Sequence, residues 1–315
     1  MKAIKFVEVR SEIAAGTRGA SLGIDALKVA SLDKASKFFT AYKAINVADV
    51  NEKLFEENLY PHAKHIDGVH TVVERVANTV KELREQDHPV VVLAGDHSTA
   101  AGTIIGLKAA HPERRLGVIW IDAHADLHTP YTTPSGNMHG MPLAMVLNED
   151  NLSQKRNEPK PETVEYWERI KQLGVEGPKL NPQDIVFIAV RDVEPEEQHL
   201  MKVSGMRNFT RDEVKIQGVA SIAQQALELL KDCDQVYVSF DVDSMDTSIS
   251  EGTGTPVPDG ITDEEALELN TLLVRDPKVV AWEVVEVNPT LDTENRMAEV
   301  AFDILEATTK ILEER

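Results

Sequence analysis

Residues 116–140 read LGVIWIDAHADLHTPYTTPSGNMHG. The apolar run from Leu116 to Ile121 stops at Asp122, after which Asp122, His124, Asp126 and His128 occupy every second position. A short run rich in β-branched residues and bounded by polar ones suits a strand buried on both faces of a parallel sheet. Such sheets hold ligands just beyond the carboxyl ends of their strands. Asp-x-His-x-Asp at that place offers hard carboxylate oxygens and an imidazole to one point, a donor mix suited to Mn²⁺ or Zn²⁺ rather than to a thiolate-seeking metal. Taken alone, the stretch also reads as a polar strand end followed by a solvated loop.

The same pattern recurs outward from it. Pro89–Leu93 reads as a strand ending in Gly95-Asp96-His97-Ser98, and Ile185–Val190 as one ending in Arg191-Asp192-Val193-Glu194. Gln235–Phe240 ends at Asp241-Val242-Asp243, and Val279–Val285 at Glu286-Val287-Asn288. Lys2–Val9 alternates as a first strand. Helices are predicted near Ile24–Ala30, over Ile66–Glu85, where Val69, Val72, Val73, Val76, Val80 and Leu83 keep helical spacing, and over Thr99–Ala110, Val219–Lys231 and Glu294–Glu313. Thr262 caps another, with Glu265 placed for a capping box. The loop Gly16–Gly23 lacks the spacing of a dinucleotide or phosphate-binding fingerprint and reads as a turn.

Strand, polar tip and helix in repetition predict an α/β fold: three layers, α/β/α, around a mainly parallel central sheet. Residues 148–183 are polar and contain four prolines. They read as a surface excursion carrying one short helix, Glu162–Leu173. Because the strand–helix pattern resumes after them, residues 1–315 read as a single domain, without internal repeats. Parallel strands share one direction, so the tips at His97, Asp122, Glu194, Asp241 and Glu286 are expected on one edge of the sheet.

Composition narrows the function. A formal net charge of −20 argues against nucleic acid and anionic membranes as partners and suits a cationic small molecule. No run reaches the length of a membrane-spanning helix, and the N-terminus lacks the apolar stretch of a signal peptide. The single cysteine, Cys233, fits a reducing, cytoplasmic setting.

Six candidate ligands stand at the predicted edge: His97, Asp122, His124, Asp126, Asp241 and Asp243. One metal rarely takes four carboxylates and two imidazoles. Two cations about 3.5–4 Å apart use them naturally and acidify a water held between them. Asp241-x-Asp243 alone is ambiguous with a calcium-type loop or a plain surface pair, and GDHS alone is weak. The force lies in three such tips, each closing an apolar strand.

These segments resemble the ureohydrolase family of arginases, agmatinases and formimidoylglutamases. The matching stretches are GDHS (95–98), DAHAD (122–126), SGNMHG (135–140), SFDVDSMD (239–246), GTGTP (252–256) and EVNP (286–289), in the family's order. TTPSGNMHG and EVNP bring the chain nearest to arginase. The resemblance implies an arginase-like fold and two Mn²⁺ per chain, with Asp122 and Asp241 bridging. His97 and Asp126 would complete one metal, His124 and Asp243 the other. It implies that a metal-held hydroxide attacks the guanidinium carbon and that His139 shuttles the proton. Glu286 grips the guanidinium, a planar cation that a carboxylate pairs well. Asp126 counts among the catalytic residues as well as the ligands. Thr133, Ser135 and Asn137 match the loop that meets the substrate carboxylate, Glu197 matches a second acidic position, and Thr255 matches a residue near Glu286. The implied products are urea and L-ornithine, and the implied assembly is a homotrimer or homohexamer.

Two positions depart from the arginase pattern. His128 stands where Asn is usual, and Glu194 where Asp is usual. In the family both positions face the amino-acid end of the substrate, not the guanidinium, so the resemblance leaves the substrate's tail the less determined part. A ureohydrolase for another guanidino or amidino compound (agmatine, formimidoylglutamate, a guanidino acid) is therefore the first alternative. A single-zinc deacetylase of related fold is the second; His97, Asp126 and Asp243 supply a second metal that it would not need. A metal-dependent protein that has lost activity is the third.

Overall fold

The computed structural model describes residues 2–315. Eight strands form one sheet: β1 (Lys5–Val9), β2 (Ala44–Val47), β3 (Val90–Ala94), β4 (Leu116–Ile121), β5 (Ile185–Ile188), β6 (Arg207–Phe209), β7 (Gln235–Asp241) and β8 (Val279–Val285). Their order is β2-β1-β3-β8-β7-β4-β5-β6, and every paired neighbour is parallel. β3, β4 and β7 are buried along their whole length, which is why β3 and β4 read as continuous apolar runs and not as alternating ones.

Alternate residues of each strand feed two cores. Val92, Val118, Trp120, Tyr237 and Val285 face helices Ile66–Glu85 and Ala100–Ala110. Leu93, Ile119, Ile121, Phe240 and Trp282 face helices Gly23–Asp33, Val219–Leu229, Asp263–Leu273 and Arg296–Glu313. The layers are α/β/α, as the alternation of elements predicts, and the sheet is parallel throughout.

Helix Ile66–Glu85 and strands β4 and β8 lie where the sequence predicts them, and the Thr262–Glu265 capping box is formed. Two strands escaped prediction because they are edges. Three of the four residues of β2 are exposed, and β6 has only three residues, so neither shows an apolar run. The segment 148–183 is less superficial than its composition suggests. Its helix, Pro161–Lys171, buries Trp167 and Ile170 completely against helix Ile66–Glu85. Lys179, 1% exposed, then closes that helix end by donating to the carbonyls of Lys171, Val175 and Gly177 at 2.5–2.7 Å. Burial lowers its ammonium pKa to about 8.

Candidate functional site

β3, β4, β7 and β8 end together, and their last residues turn into a cleft of about 440 Å³, a volume suited to a small-molecule ligand. The 3-10 turn His97–Thr99 after β3 presents His97. Its backbone is fixed by Asp96, whose buried carboxylate accepts from the N–H groups of Ser98 (3.0 Å) and Ala14 (3.2 Å). Burial raises Asp96 to about 6. Trp120 stacks on the His97 ring, with centroids 4.1 Å apart and planes 5° from parallel.

His97 Nδ1 lies 3.1 Å from Asp122 Oδ2, 3.2 Å from Asp126 Oδ2 and 3.1 Å from Asp241 Oδ2. Nδ1 and Asp122 Oδ2 are nonetheless buried without a hydrogen bond. A buried nitrogen amid three carboxylate oxygens, with polar atoms left unpaired, fits a cation's donor set. On the other side of Asp122, His124 Nδ1 stands 3.4 Å from Asp122 Oδ1 and 3.0 Å from Asp243 Oδ2. Asp122 thus turns one oxygen to each histidine. Backbone N–H groups aim the carboxylates: His124 N on Asp122 Oδ1 (2.7 Å), Ala123 N on Asp243 Oδ1 (3.1 Å) and Asp243 N on Asp241 Oδ1 (2.8 Å). The Arg191 guanidinium, also part of a strand tip, donates to the carbonyls of Asp243 (3.0 Å) and Val257 (2.6 Å) and clamps the loops beneath.

The charges in this cluster share protons. Burial opposes the charged form of His97 and of His124, but the surrounding carboxylates outweigh it and raise both imidazoles well above their ordinary value. Burial, then repulsion from neighbouring carboxylates, raises Asp241 and Asp126 and brings Asp243 to about 6. Asp122 is depressed, because its histidine partners outweigh its burial. A cation entering here must displace protons. Adding Mn²⁺ to the metal-stripped protein in weak buffer is therefore expected to release protons, and its affinity to fall as the pH drops from 8 to 6. A pH electrode and a titration at each pH check this; pH-independent binding without proton release would count against these residues as ligands.

Glu286 follows β8 in the left-handed region, with φ 66°, as does Asp126, with φ 51°. Such backbone costs a non-glycine residue roughly 1–3 kcal/mol. Glu286 is 3% exposed; its Oε1 accepts from His97 N at 2.9 Å and meets His139 Nδ1 at 3.3 Å. No group among the described residues hydrogen-bonds its Oε2. For His139, burial lowers the pKa, but Glu286 outweighs it and the net direction is upward.

His139 hangs from the loop 129–140. Gly136 makes that loop possible: at φ 78° it approaches so close that a Cβ would lie 2.0 Å from Pro61 O. Thr133 braces the same turn, its hydroxyl accepting from Gly136 N (2.9 Å) and Ser135 N (3.3 Å). Asn137 Oδ1 accepts from Lys64 Nζ (2.9 Å). Ser135 is exposed at the cleft wall. Thr255 also lines the cleft, but its hydroxyl donates to Asp243 Oδ2 (3.2 Å).

The two unusual positions meet. His128 Nε2 lies 3.1 Å from Glu194 Oε2 and 3.5 Å from Glu197 Oε2, with Nδ1 3.1 Å from the Thr132 hydroxyl. The bond from His128 draws Glu194 down to about 2. Burial raises Glu197 well above its ordinary value, while it accepts from Leu127 N (2.9 Å) and Glu194 N (3.2 Å). Glu197 and Glu194 open helix Pro195–Ser204, a start signalled by proline at its first position with acidic residues behind it.

The cleft thus gathers His97, His124, Asp126, Asp241, Asp243, His128, Thr133, Ser135, Asn137, His139, Glu194, Glu197 and Thr255, with Asp122 and Glu286 beneath. Sequence reasoning passed over Asp192, a cleft residue whose Oδ2 lies 3.8 Å from His124 Nε2, and Asp96. Both adjoin residues that were singled out, and their position beside a strand tip was the available signal.

The sequence profile of the Arginase family matches residues 3–309. The arginase of Bacillus subtilis is 31% identical over 307 residues, covering 97% of either chain. The arginase of Brevibacillus brevis is 34% identical over 309 residues, 96% of either chain. The solved structure of Bacillus caldovelox arginase superposes with a TM-score of 0.83 at 31% identity, covering 98% of both chains.

Proposed function

The chain belongs to the arginase family, and from that premise we propose that it hydrolyses L-arginine to urea and L-ornithine with two Mn²⁺ ions. The observation that carries the reading is the shared Asp122, one oxygen toward His97 and the other toward His124, at the floor of the cleft. His97, Asp122, Asp126 and Asp241 would hold one ion; His124, Asp122, Asp243 and Asp241 the other. Bound there, the ions supply the Lewis acidity that makes water nucleophilic near neutral pH.

The chain's own residues do the rest. Glu286 Oε2 pairs with the guanidinium N–H groups, because Oε1 is already engaged by His97 N and His139. His139, held by that same carboxylate and raised in pKa by it, carries a proton to the leaving amine. Ser135, Asn137 and the free hydroxyl hydrogen of Thr133 meet the substrate carboxylate. Glu194 and Glu197 face the α-ammonium.

One contact favours a second reading. His128 already engages Glu194 at 3.1 Å, which occupies part of the carboxylate that an α-ammonium requires. A guanidino acid without the α-amino group would leave that pair undisturbed. The test is a kcat/KM panel in Mn²⁺ with L-arginine, agmatine and 4-guanidinobutanoate. L-Arginine is expected to lead and agmatine to trail, since agmatine leaves the carboxylate-binding groups unpaired. Ser135→Ala and Glu194→Ala should weaken arginine use with metal content unchanged. A lead for the guanidino acid would transfer the assignment to the second reading; a lead for agmatine would end both.

Homotrimeric or homohexameric assembly and a cytoplasmic setting belong to the same proposal. Apolar side chains left outside, such as Phe55 at 94% exposure, and the lone buried Cys233 support them. Sedimentation of the Mn²⁺-loaded protein tests the first. Among the described residues no helix is long and apolar enough to cross a membrane.

A further inference from the structure

Strand β8 reads VVAWEVV, and its one charged residue, Glu283, is 0% exposed. It takes no part in the cleft. Burial in this apolar layer raises the Glu283 pKa, and its carboxylate stays ionised only where donors receive it. The register sets Glu283 directly across from Ser239 of β7, so both side chains leave the same face of the sheet. Ser239 Oγ donates to Glu283 Oε1 at 3.2 Å, and the buried hydroxyls of Thr103 and Tyr237 stand beside the same carboxyl. On its other side Ser239 Oγ lies 2.8 Å from His97 Nε2. The parallel stack on Trp120 leaves the His97 ring no other plane.

A serine hydroxyl has one hydrogen to give. Spent on Glu283, it leaves the Ser239 oxygen as acceptor, so His97 Nε2 must carry the ring's N–H. A neutral imidazole then presents a bare lone pair at Nδ1, the atom that lies among Asp122, Asp126 and Asp241. With the opposite sense, a hydrogen on Nδ1 would point into the cation's place.

We propose that Glu283, through Ser239, is a positioning residue that fixes the His97 tautomer and so sets the affinity of the cation held by His97, Asp122, Asp126 and Asp241. The proposal rests on the reading of His97 as a ligand. Neither residue lines the cleft. A carboxylate behind a metal-bound histidine commonly acts in this way, and its loss weakens metal binding by roughly 10–100-fold; here a serine stands between.

The test uses the full chain stripped of metal and titrated with Mn²⁺, free ion being followed by electron paramagnetic resonance. Wild type is expected to take up two ions. Glu283→Met and Ser239→Ala, which remove the acceptor and the bridging hydroxyl respectively, should each weaken one of the two by at least about tenfold, leaving the other within a few-fold. Melting of the metal-free protein separates this from a packing role: Glu283→Met keeps the volume while removing a carboxyl whose ionised form burial disfavours, and should not lower that melting temperature. The similarly sized Glu283→Met keeps the test open should Ser239→Ala fail to fold. Unchanged affinities in folded variants, or both sites weakened alongside a fall in metal-free stability, would overturn the proposal. A wild type that takes up no ions would remove the binuclear reading itself, and this proposal with it; the control shows that before any variant is compared.

Discussion

Asp122→Asn is expected to strip the protein of its metals and nearly all of its urea release. The change keeps the shape of the side chain and the acceptor for His124 N, but removes the charge that faces both His97 and His124. Losing a shared ligand affects two ions at once, whereas losing Asp126 would affect one. The ions are asked to supply several kcal/mol of transition-state stabilisation. At 1.36 kcal/mol per tenfold, about 4 kcal/mol corresponds to roughly a thousandfold fall in kcat. Metal analysis after gel filtration, paired with a urea assay, reads both effects. Two retained ions with activity within tenfold of wild type would exclude Asp122 as a bridge.

The second large effect is expected from Glu286→Gln, and it should separate from the first. The amide oxygen can still accept from His97 N, so both ions should stay. What disappears is the buried negative charge proposed to pair with the guanidinium, together with the charge that raises His139. Removing one partner of a buried, hydrogen-bonded charge pair costs about 2–5 kcal/mol, or roughly 30- to several-thousandfold in kcat/KM. The loss should fall on arginine while two Mn²⁺ remain bound. Near-normal kcat/KM would remove Glu286 from the guanidinium site.

Much of this site could be read without coordinates, because parallel topology turns a one-dimensional pattern into a three-dimensional one. Once β3, β4, β7 and β8 run in the same direction, whatever follows each apolar run must meet at one edge. His97, Asp122, Asp241 and Glu286 follow from that alone. The elements that stayed hidden lack such a signature. β2 and β6 are too short or too exposed to show an apolar run, and helix Pro142–Leu147 is buried on every side and so shows no periodicity. The 148–183 segment misled for a related reason. Its polar residues and prolines outnumber Trp167 and Ile170, although those two decide where it sits. Partnerships were harder to see than positions. That His139 leans on Glu286, that His128 pairs with Glu194, and that Thr255 serves Asp243 depend on loop paths which spacing does not encode. Glu283 was invisible for the opposite reason: one acidic letter inside a strand reads as noise until its cross-strand partner is known.

The left-handed backbone at Asp126 and Glu286 sets heat resistance against turnover. Glycine at 286 would relieve the φ of 66° and withdraw a buried charge, and asparagine at 126 tolerates its φ of 51° better than most side chains. A library of this chain sorted only for survival at high temperature should therefore drift toward residues that silence it. Stabilising campaigns on this protein should hold both positions fixed and look for their gains elsewhere, for instance at the exposed end of the sheet around β2.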